Sequence, residues 1–575
     1  MFPYLKRYRT KILLGTLFII CGTSVGILSP KVVQRAIDYL SGDFKVGRLL
    51  FYAALIVLIS LLNGYFRFMM RQTIIVGSRL IENDFRNDIF SHLQKMSTNF
   101  YYTMSTGDIM SRMTNDLNAV RSVIGPGIMY SINTIVTFIF VIWMMVSINL
   151  YLTFIALVPI PLMAFAVYYF GRKIKQKYTE IQAQYARIST KAQENISGIR
   201  IIKTYVQETA EIENFNLLNK EYIQKNMAYV RVYAAFHPII MFIIGLGVIL
   251  VLWIAGVQIV EGTLSLGEFV AFSLYLNMLV WPSIALGWVA GIFQQGAASM
   301  IRINTILSTP PEITDVNARK TLTDLEGNIT ISNLSFSYSK EAPPVLKDIN
   351  LTINAGEIIA VVGKTGSGKT TFLNILCRVF DPPPDSVKID NVALNEIPLR
   401  LLRESIGYIP QETFLFSDTI KENIRFGKNN ASDLEIQQAA ELAQVHETIE
   451  EFPDSYETLL GERGINLSGG QKQRLSLARA LIKNPKILLL DDALSAVDTI
   501  TEKTILENLR QVMDNKTCIW VSHRISAIQH ADKIIVLGEG QIIEEGTHEE
   551  LLEYNGLYRE LYEKQQLEEA LALTE

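Results

Sequence analysis

A glycine-rich segment in the C-terminal half has the residue types and spacing of a phosphate-binding loop. Following the apolar stretch Ile358–Val362, the run reads Gly363-Lys364-Thr365-Gly366-Ser367-Gly368-Lys369-Thr370, which fits G-x-x-x-x-G-K-[ST]. Its glycines let backbone N–H groups approach phosphate oxygens, Lys369 neutralises their charge and Thr370 can ligate Mg²⁺. The spacing predicts a strand, loop and helix that bind a nucleoside triphosphate.

Two adjacent acids, Asp491 and Asp492, follow a second apolar run, Ile487–Leu490. A strand that ends in a carboxylate, downstream of such a loop, is where a nucleoside triphosphatase holds Mg²⁺. We therefore assign Mg²⁺ to Asp491. Asp492 is the candidate acid for the attacking water.

The chain divides into an apolar first half and a second half with the charge pattern of a soluble domain. Its 575 residues exceed the size of a single core, so two or more domains are expected. Hydrophobic residues make up 49% and charged residues 19%, whereas a soluble protein has about 25% charged residues. The net charge of −4 does not favour a nucleic-acid partner. The three cysteines lack metal-binding or redox spacing.

Six apolar runs in residues 1–310 have the length of membrane-crossing helices, about 20 residues. They lie at about 12–29, 49–70, 128–148, 151–170, 239–260 and 268–295. They predict an all-α transmembrane domain over 1–310, a linker over 311–327 and an α/β ATP-binding domain over 328–575. Basic residues at the N-terminus place both termini in the cytoplasm. The long polar segments 71–127 and 171–238 are then expected to be cytoplasmic helical arms.

A few charged residues fall within or beside these runs. Arg67 and Glu268 lie near predicted span ends, where a long side chain can snorkel to the interface or pair there; the alternative is a contact with a substrate. The aromatic residues of the spans are expected to pack or to form interfacial belts.

Several further motifs resemble those of ABC transporters. Leu467–Gln471, LSGGQ, resembles the family signature, which closes over ATP held by the opposite nucleotide-binding domain. Its residues Ser468, Gly469, Gly470 and Gln471 therefore become candidate nucleotide contacts.

The resemblance implies roles for four single residues of the C-terminal half. Tyr338 resembles the aromatic residue that stacks on adenine, and Gln411 resembles the Q-loop glutamine that senses Mg²⁺. Asp498 resembles the D-loop aspartate, and His523 resembles the switch histidine that contacts the γ-phosphate. The implied cofactors are ATP and Mg²⁺. Catalytic roles go to Asp492, His523 and Gln411, and Mg²⁺ ligation to Thr370, Gln411 and Asp491.

The resemblance spans essentially the whole chain and has the half-transporter arrangement of ABC exporters. Gly461-Glu462-Arg463-Gly464 resembles the exporter X-loop. Thr106-Gly107-Asp108, with Arg112, Asn115 and Asp116, resembles a first coupling region, and Ile202-Lys203-Thr204-Tyr205 a second. The expected location is the bacterial inner or plasma membrane, in contact with the lipid bilayer.

Asp492 departs from the family pattern, in which the acid after the Mg²⁺ aspartate is Glu. Because its carboxylate is drawn back by one C–C bond, hydrolysis at this chain's own site is expected to be slow. This resembles the degenerate subunit of heterodimeric multidrug exporters. It implies a second half-transporter that carries the Glu, and a hydrophobic or amphipathic substrate. The alternatives are a homodimeric lipid or peptide exporter, or an ATP-binding membrane sensor that pumps nothing.

Overall fold

The computed structural model describes residues 2–40, 46–339, 341–461, 464, 466–513 and 516–572. The chain forms two compact units. The first contains Met1–Gln94 and Ser105–Thr309, and the second contains Lys95–Met104 and Pro310–Glu575. The loop residues Glu462 and Arg463 of the X-loop prediction lie outside the described residues.

The first nine helices of the chain belong to the first unit, apart from the short α4 in the second. They are α1 Phe2–Arg7, α2 Arg9–Leu40, α3 Val46–Leu93, α4 Thr98–Thr103, α5 Thr106–Ile148, α6 Leu150–Ser197, α7 Ile199–Thr204, α8 Glu208–Val260 and α9 Leu266–Ser308. Six of them, α2, α3, α5, α6, α8 and α9, are long and apolar enough to cross a membrane. Each predicted apolar run lies within one of these six. The polar segments 71–127 and 171–238 are mostly extensions of the same helices.

Three π-helical turns interrupt the regular hydrogen bonding of α3 and α5. They span Arg71–Ile75, Arg112–Asp116 and Val123–Gly127. A π turn contains one residue more than an α-helical turn and often marks a functional position. The first one begins at Arg71, within the part of α3 that follows its apolar run.

Charged residues join the polar parts of these helices. Glu82 of α3 is buried, accepts hydrogen bonds from Arg79 and Arg86 at 2.9 and 2.8 Å, and lies 3.7 Å from Arg121. These contacts connect α3 to α5. Every one of these arginines therefore has an acidic partner.

Asp116 and Glu268 have structural roles that the neighbouring residues in the sequence indicate only in part. Asp116 accepts hydrogen bonds from Ser299 at 2.9 Å and from Arg302 at 2.8 and 2.5 Å, and so ties α5 to α9. Glu268 forms a capping box with Ser265 at the start of α9. The cap stabilises this helix end because it satisfies backbone N–H groups that lack an intrahelical partner.

The second unit contains two β-sheets. Its strands are β1 Ile329–Phe336, β2 Leu346–Ile353, β3 Ile358–Val362, β4 Val387–Ile389, β5 Val392–Ala393, β6 Ile406–Ile409, β7 Ile487–Asp491, β8 Thr517–Val521, β9 Lys533–Gly538 and β10 Gln541–Gly546. One sheet has the order β2-β1-β4-β5 and is antiparallel. The other has the order β10-β9-β3-β8-β7-β6 and is parallel except at β10.

Helices cover the larger sheet, so its central strands are buried on both sides. They are α10 Lys369–Leu376, α11 Leu399–Ser405, α12 Ile420–Arg425, α13 Asp433–Leu442, α14 His446–Glu450, α15 Gly469–Leu481, α16 Thr499–Met513, α17 Ile525–Ile528, α18 His548–Glu553 and α19 Leu557–Ala572. All five residues of β7 and of β8 are buried. A parallel sheet covered on both faces requires continuous apolar strands, which explains the runs seen in the sequence.

The predicted strands are close to the observed ones. Ile358–Val362 is β3, and the run Ile487–Leu490 continues by one residue to include Asp491 in β7. β1 ends at Phe336 and β2 begins at Leu346. The domain boundaries at 310 and 327 stay predictions.

Candidate nucleotide-binding site

The loop after β3 has a backbone that only glycine accommodates at two positions. Gly363 has φ +152°, and a Cβ there would lie 2.2 Å from the Leu537 carbonyl oxygen. Gly368 has φ +101°, and its Cβ would lie 2.8 Å from the Leu346 side chain. Larger residues are thus excluded by their neighbours and by the left-handed backbone. The loop is thereby held close to the start of α10.

Lys369 is the first residue of α10 and is buried. Its ammonium donates to the carbonyl oxygens of Gly363 and Lys364 at 2.9 and 3.0 Å. Burial lowers its pKa, and the nearby carboxylates of Asp491 and Asp492 act in the opposite direction. Because an ammonium has three donors, one N–H remains for an anion.

Asp491 ends β7 inside the protein, with 1% of its surface exposed. Burial raises its pKa, whereas the hydrogen bond with Thr370 and the charges of Lys369 and His523 lower it. The structure thus brings four of the predicted residues together where β3, β7 and β8 end. A carboxylate beside a Thr hydroxyl is a suitable oxygen pair for Mg²⁺.

Asp492 has a left-handed backbone with φ +50°. Its N–H donates to the carbonyl oxygen of Val521 at 2.9 Å, which fixes the turn between β7 and the following loop. Aspartate tolerates this backbone region better than most residues with longer side chains. The backbone therefore favours the aspartate independently of any role in catalysis.

His523 is exposed and follows β8, and its loop is held from two directions. Gln565 of α19 accepts a hydrogen bond from the Ile525 N–H at 2.8 Å and donates one to the His523 carbonyl oxygen. On the other side, Arg524 contacts the buried carboxylate of Glu502. Gln565 and Arg524 were not identified from the sequence, because nothing in α19 or beside His523 indicates these distant contacts.

Tyr338 and Gln411 lie at the surface of the second unit. The Tyr338 hydroxyl is 2.7 Å from the Thr371 hydroxyl, and the residue is 43% exposed. Phe336 and Phe380 contact it edge-on, at ring-centre distances of 5.3 and 5.2 Å. Tyr338 is thus partly exposed beside α10. Gln411, after β6, is exposed.

The signature residues form the N-terminal cap of α15. Ser468 accepts a hydrogen bond from the Gln471 N–H at 3.3 Å, and the Gln471 side chain accepts one from the Ser468 N–H at 2.9 Å. A Cβ on Gly470 would lie 2.8 Å from the Ala496 carbonyl oxygen, whereas one on Gly469 would lie 3.3 Å from the Ala496 side chain. Gly470 is thus required for the close approach of the loop after β7.

That loop is also held by Gln473, a buried residue of α15. Its side chain donates to the Ser495 hydroxyl at 3.0 Å and accepts from the Ala496 N–H at 2.9 Å. Gln473 was missed in the sequence, although a glutamine on the buried face of an amphipathic helix is a recognisable signal.

Asp498 caps α16, because its carboxylate accepts a hydrogen bond from the Thr501 N–H at 3.0 Å. This bond and that of the Thr501 side chain lower the Asp498 pKa. Within the described residues, no hydrogen bond or ion pair joins Ser468–Gln471 or Asp498 to the loop 363–370. The predicted residues therefore fall into two groups, one around β3 and β7 and one around the start of α15.

The first group fits a Mg²⁺–nucleotide complex. Among the described residues, the Ser367 hydroxyl and one carboxylate oxygen of Asp491 are buried without a hydrogen-bond partner. Buried polar atoms are rarely left unpaired, because each costs about 1–3 kcal/mol. Both atoms belong to the residues predicted to contact phosphate and metal. A phosphate group and its cation would satisfy them.

Comparison with known proteins places both units in one family. The ABC transporter transmembrane region family matches residues 12–283, and the ABC transporter family of ATP-binding domains matches residues 346–495. The chain is 38% identical over 567 residues to a probable multidrug resistance ABC transporter ATP-binding/permease protein, YheI of Bacillus subtilis, covering 98% of this chain and 97% of that one.

Two other relatives and a solved structure agree. The multidrug resistance-like ATP-binding protein MdlA of Escherichia coli is 34% identical, covering 99% of this chain and 96% of that one. An ATP-dependent lipid A-core flippase of Syntrophus aciditrophicus is 35% identical, covering 95% and 91%. The structure of a bacterial Atm1-family ABC exporter with ATP bound superimposes with a TM-score of 0.79 at 26% identity, covering 98% of both chains. The chain therefore belongs to the ABC transporters and is a multi-pass membrane protein of the exporter type, with a six-helix transmembrane domain followed by an α/β nucleotide-binding domain.

Proposed function

We propose that the chain is one subunit of an ATP-driven exporter of hydrophobic or amphipathic compounds. It works by alternating access across the cytoplasmic membrane, with both termini in the cytoplasm. The observation that supports nucleotide use is the pair of unpartnered buried oxygens on Ser367 and Asp491. The relatives named for multidrug resistance support export.

The residues around β3 and β7 have separate roles at this chain's own nucleotide-binding site. ATP supplies the phosphoanhydride bond, and Mg²⁺ neutralises its phosphate oxygens. Thr370, Asp491 and Gln411 would hold the metal. The free N–H of Lys369 binds phosphate, and Tyr338 offers its exposed ring to the adenine. His523 contacts the terminal phosphate from the loop after β8.

Asp492 makes hydrolysis at this site slow. Its backbone is fixed by the hydrogen bond to the Val521 carbonyl oxygen, so a backbone shift cannot bring the carboxylate closer to the attacking water. The group therefore ends about 1.5 Å short of the place that a glutamate reaches. A displacement of that size can reduce the rate by about 10²-fold.

The complete signature supports a heterodimer. Ser468–Gln471 forms an ordered cap at the start of α15 and would serve ATP held by a second half-transporter that carries the Glu. The working site is then formed by that subunit's catalytic acid and this chain's signature. One chain thus contributes a slow site of its own and half of a fast one.

Purification of the full-length chain in mild detergent tests the assembly. We expect a second ABC half-transporter, with Glu at the position of Asp492, to co-purify. Recovery of a homodimer that transports on its own would contradict the heterodimer and favour the homodimeric alternative. Accumulation of an amphipathic dye in inverted proteoliposomes tests export itself, and its absence with the partner present would favour the sensor alternative.

Substitutions at Asp492 test the asymmetry. Asp492→Glu should raise hydrolysis at this site by up to about 10²-fold. Asp492→Asn, which keeps the shape and removes the charge, should leave total ATP turnover nearly unchanged. Glu→Gln in the partner should abolish most of it. If the partner substitution leaves turnover intact and Asp492→Ala abolishes it, the assignment of slow and fast sites is wrong.

A further inference from the structure

The first unit contains an open cavity of about 250 Å³ between α2, α3, α5 and α9. A larger neighbouring cavity, of about 760 Å³, shares three of its lining residues, Arg71, Met129 and Tyr130. Arg67 and Arg71 line the smaller cavity from α3. We call the two together the arginine cavity.

The two arginines of this cavity have no acidic partner. Among the described residues, neither the Arg67 nor the Arg71 side chain takes part in a hydrogen bond or ion pair. They lie four residues apart on α3, a spacing at which like charges repel each other. In the part of the chain that the structure describes, no aspartate or glutamate lines either part of the cavity. By contrast, Arg79 and Arg86, further along the same helix, share Glu82.

Arg67 is the fourth residue from the end of the apolar run 49–70 of α3, and its place near a span end stays a prediction. A Cβ on Gly22 would lie 3.0 Å from the Phe66 Cβ, so Arg67 is level with the middle of the apolar run 12–29 of α2. Trp281, on the other side of the cavity, lies in the middle of the apolar run 268–295 of α9. An ionisable side chain within a membrane-spanning helix is costly and often marks a pathway or a ligand site.

The remaining lining residues offer hydrogen-bond donors and apolar surface. Asn133 accepts a hydrogen bond from Thr23 at 3.0 Å, and within the described residues its NH₂ group has no acceptor. Phe18, Trp281 and Tyr130 provide aromatic surface for an apolar body. The π turn that begins at Arg71 is a further sign of a functional position.

We propose that the arginine cavity binds an anionic amphipath, with a carboxylate, sulfonate or phosphate between Arg67 and Arg71 and an apolar body against the aromatic residues. The bound anion thus belongs to the substrate class of the exporter. This assignment rests on the proposed function. Guanidinium groups form charge-assisted hydrogen bonds with such anions and repel cations. The cavity therefore selects by charge.

Binding of two matched probes tests the proposal. Pyrenebutyrate and pyrenebutyl-trimethylammonium share an aromatic body and carry opposite charges. The assembly as purified is placed in phosphatidylcholine nanodiscs, and energy transfer from tryptophan to pyrene gives each Kd, corrected for probe partition into protein-free discs. We expect the anion to bind at least tenfold more tightly than the cation, as charge-assisted hydrogen bonds predict.

Variants then assign the preference to the two arginines. The double substitution R67Q/R71Q should weaken pyrenebutyrate binding at least tenfold and leave the cation unchanged or tighter. R67K/R71K should retain most of the preference. R231Q removes an exposed arginine of α8 that does not line the cavity, and it should change neither Kd. Equal affinity for both probes in the wild type, or unchanged anion binding in R67Q/R71Q, would overturn the proposal.

Two further measurements identify the source of the anionic ligand and separate anion binding from export. Replacing part of the phosphatidylcholine by phosphatidylglycerol displaces the probe if the natural ligand is a lipid headgroup, and leaves it bound if the ligand is a soluble amphipathic anion; both results support the anion site. Charge-selective binding without ATP-dependent accumulation of pyrenebutyrate in proteoliposomes would uphold the site and refute export. Accumulation that R67Q/R71Q leaves unchanged would uphold export and refute the anion site.

Discussion

The contact between Gln565 and the loop of His523 leads to a prediction about local stability. Gln565 holds this loop at both ends, through the Ile525 N–H and the His523 carbonyl oxygen. Replacing Gln565 by Ala removes both hydrogen bonds and leaves α19 intact, because alanine favours helix. The loop should then open more often while the rest of the domain keeps its stability.

The size of the effect follows from the two lost bonds. Each contributes about 0.5–1.5 kcal/mol net, so the loop loses about 1–3 kcal/mol of local stability. Because about 1.4 kcal/mol corresponds to a factor of ten, the Ile525 amide should exchange with deuterium about 5- to 150-fold faster. Gln565→Glu should give an intermediate rate, since a carboxylate can accept from Ile525 but cannot donate to His523.

Hydrogen–deuterium exchange of the full-length protein measures this directly. Gln566→Ala is the matched control, because among the described residues that side chain bonds only to the Tyr562 hydroxyl of the same helix, at 2.7 Å. The reasoning is refuted if Ile525 exchanges within twofold of the wild-type rate in Gln565→Ala. It is equally refuted if the control accelerates exchange as much, since the effect would then be general loosening of α19.

Three further predictions concern stability. Glu82→Ala should lower the free energy of unfolding by about 1–3 kcal/mol, because Arg79 and Arg86 lose charge-assisted hydrogen bonds and the partly buried Arg121 loses its acid, and a loss below 1 kcal/mol in thermal or denaturant unfolding would contradict the pairing. Gly470→Ala should lower the Tm because its Cβ meets a carbonyl oxygen, whereas Gly469→Ala should leave it unchanged or raise it, and equal effects would show that the contact is not tight. Burial lowers the His548 pKa below 6.5, so the protonated form favours unfolding; the stability from this residue is present above pH 6.5 and is lost as the pH falls below it. The Tm difference between wild type and His548→Gln should therefore shrink from pH 7.5 to pH 5.5, and a constant difference would exclude this titration.

Much of the nucleotide-binding half was predictable because its chemistry is local in sequence. The glycines of the loop, the acid at the end of β7 and the cap at Ser468 each depend on neighbouring residues. Strand β3 was predicted in full because a buried parallel strand needs an uninterrupted apolar run. The six long helices followed from the length and composition of the apolar runs.

What the sequence did not reveal depends on contacts between distant residues. Gln565 lies 40 residues from Ile525, and no local pattern links the two positions. The cavity beside Arg67 and Arg71 depends on how α2, α3, α5 and α9 pack together, which the boundaries of the apolar runs do not determine. The left-handed backbone of Asp492 is set by its bond to β8, and a sequence pattern does not contain that information.

The π turns of α3 and α5 have a consequence for insertions and deletions. Since a π turn arises when an α-helix takes in one extra residue, removing one residue there restores regular hydrogen bonding and keeps both flanks in phase. Single-residue deletions in Arg71–Ile75, Arg112–Asp116 or Val123–Gly127 should therefore be tolerated by the backbone, while a deletion elsewhere in these helices rotates one flank by about 100°. In this protein, changes of chain length are thus admissible inside the membrane helices and not only in its loops.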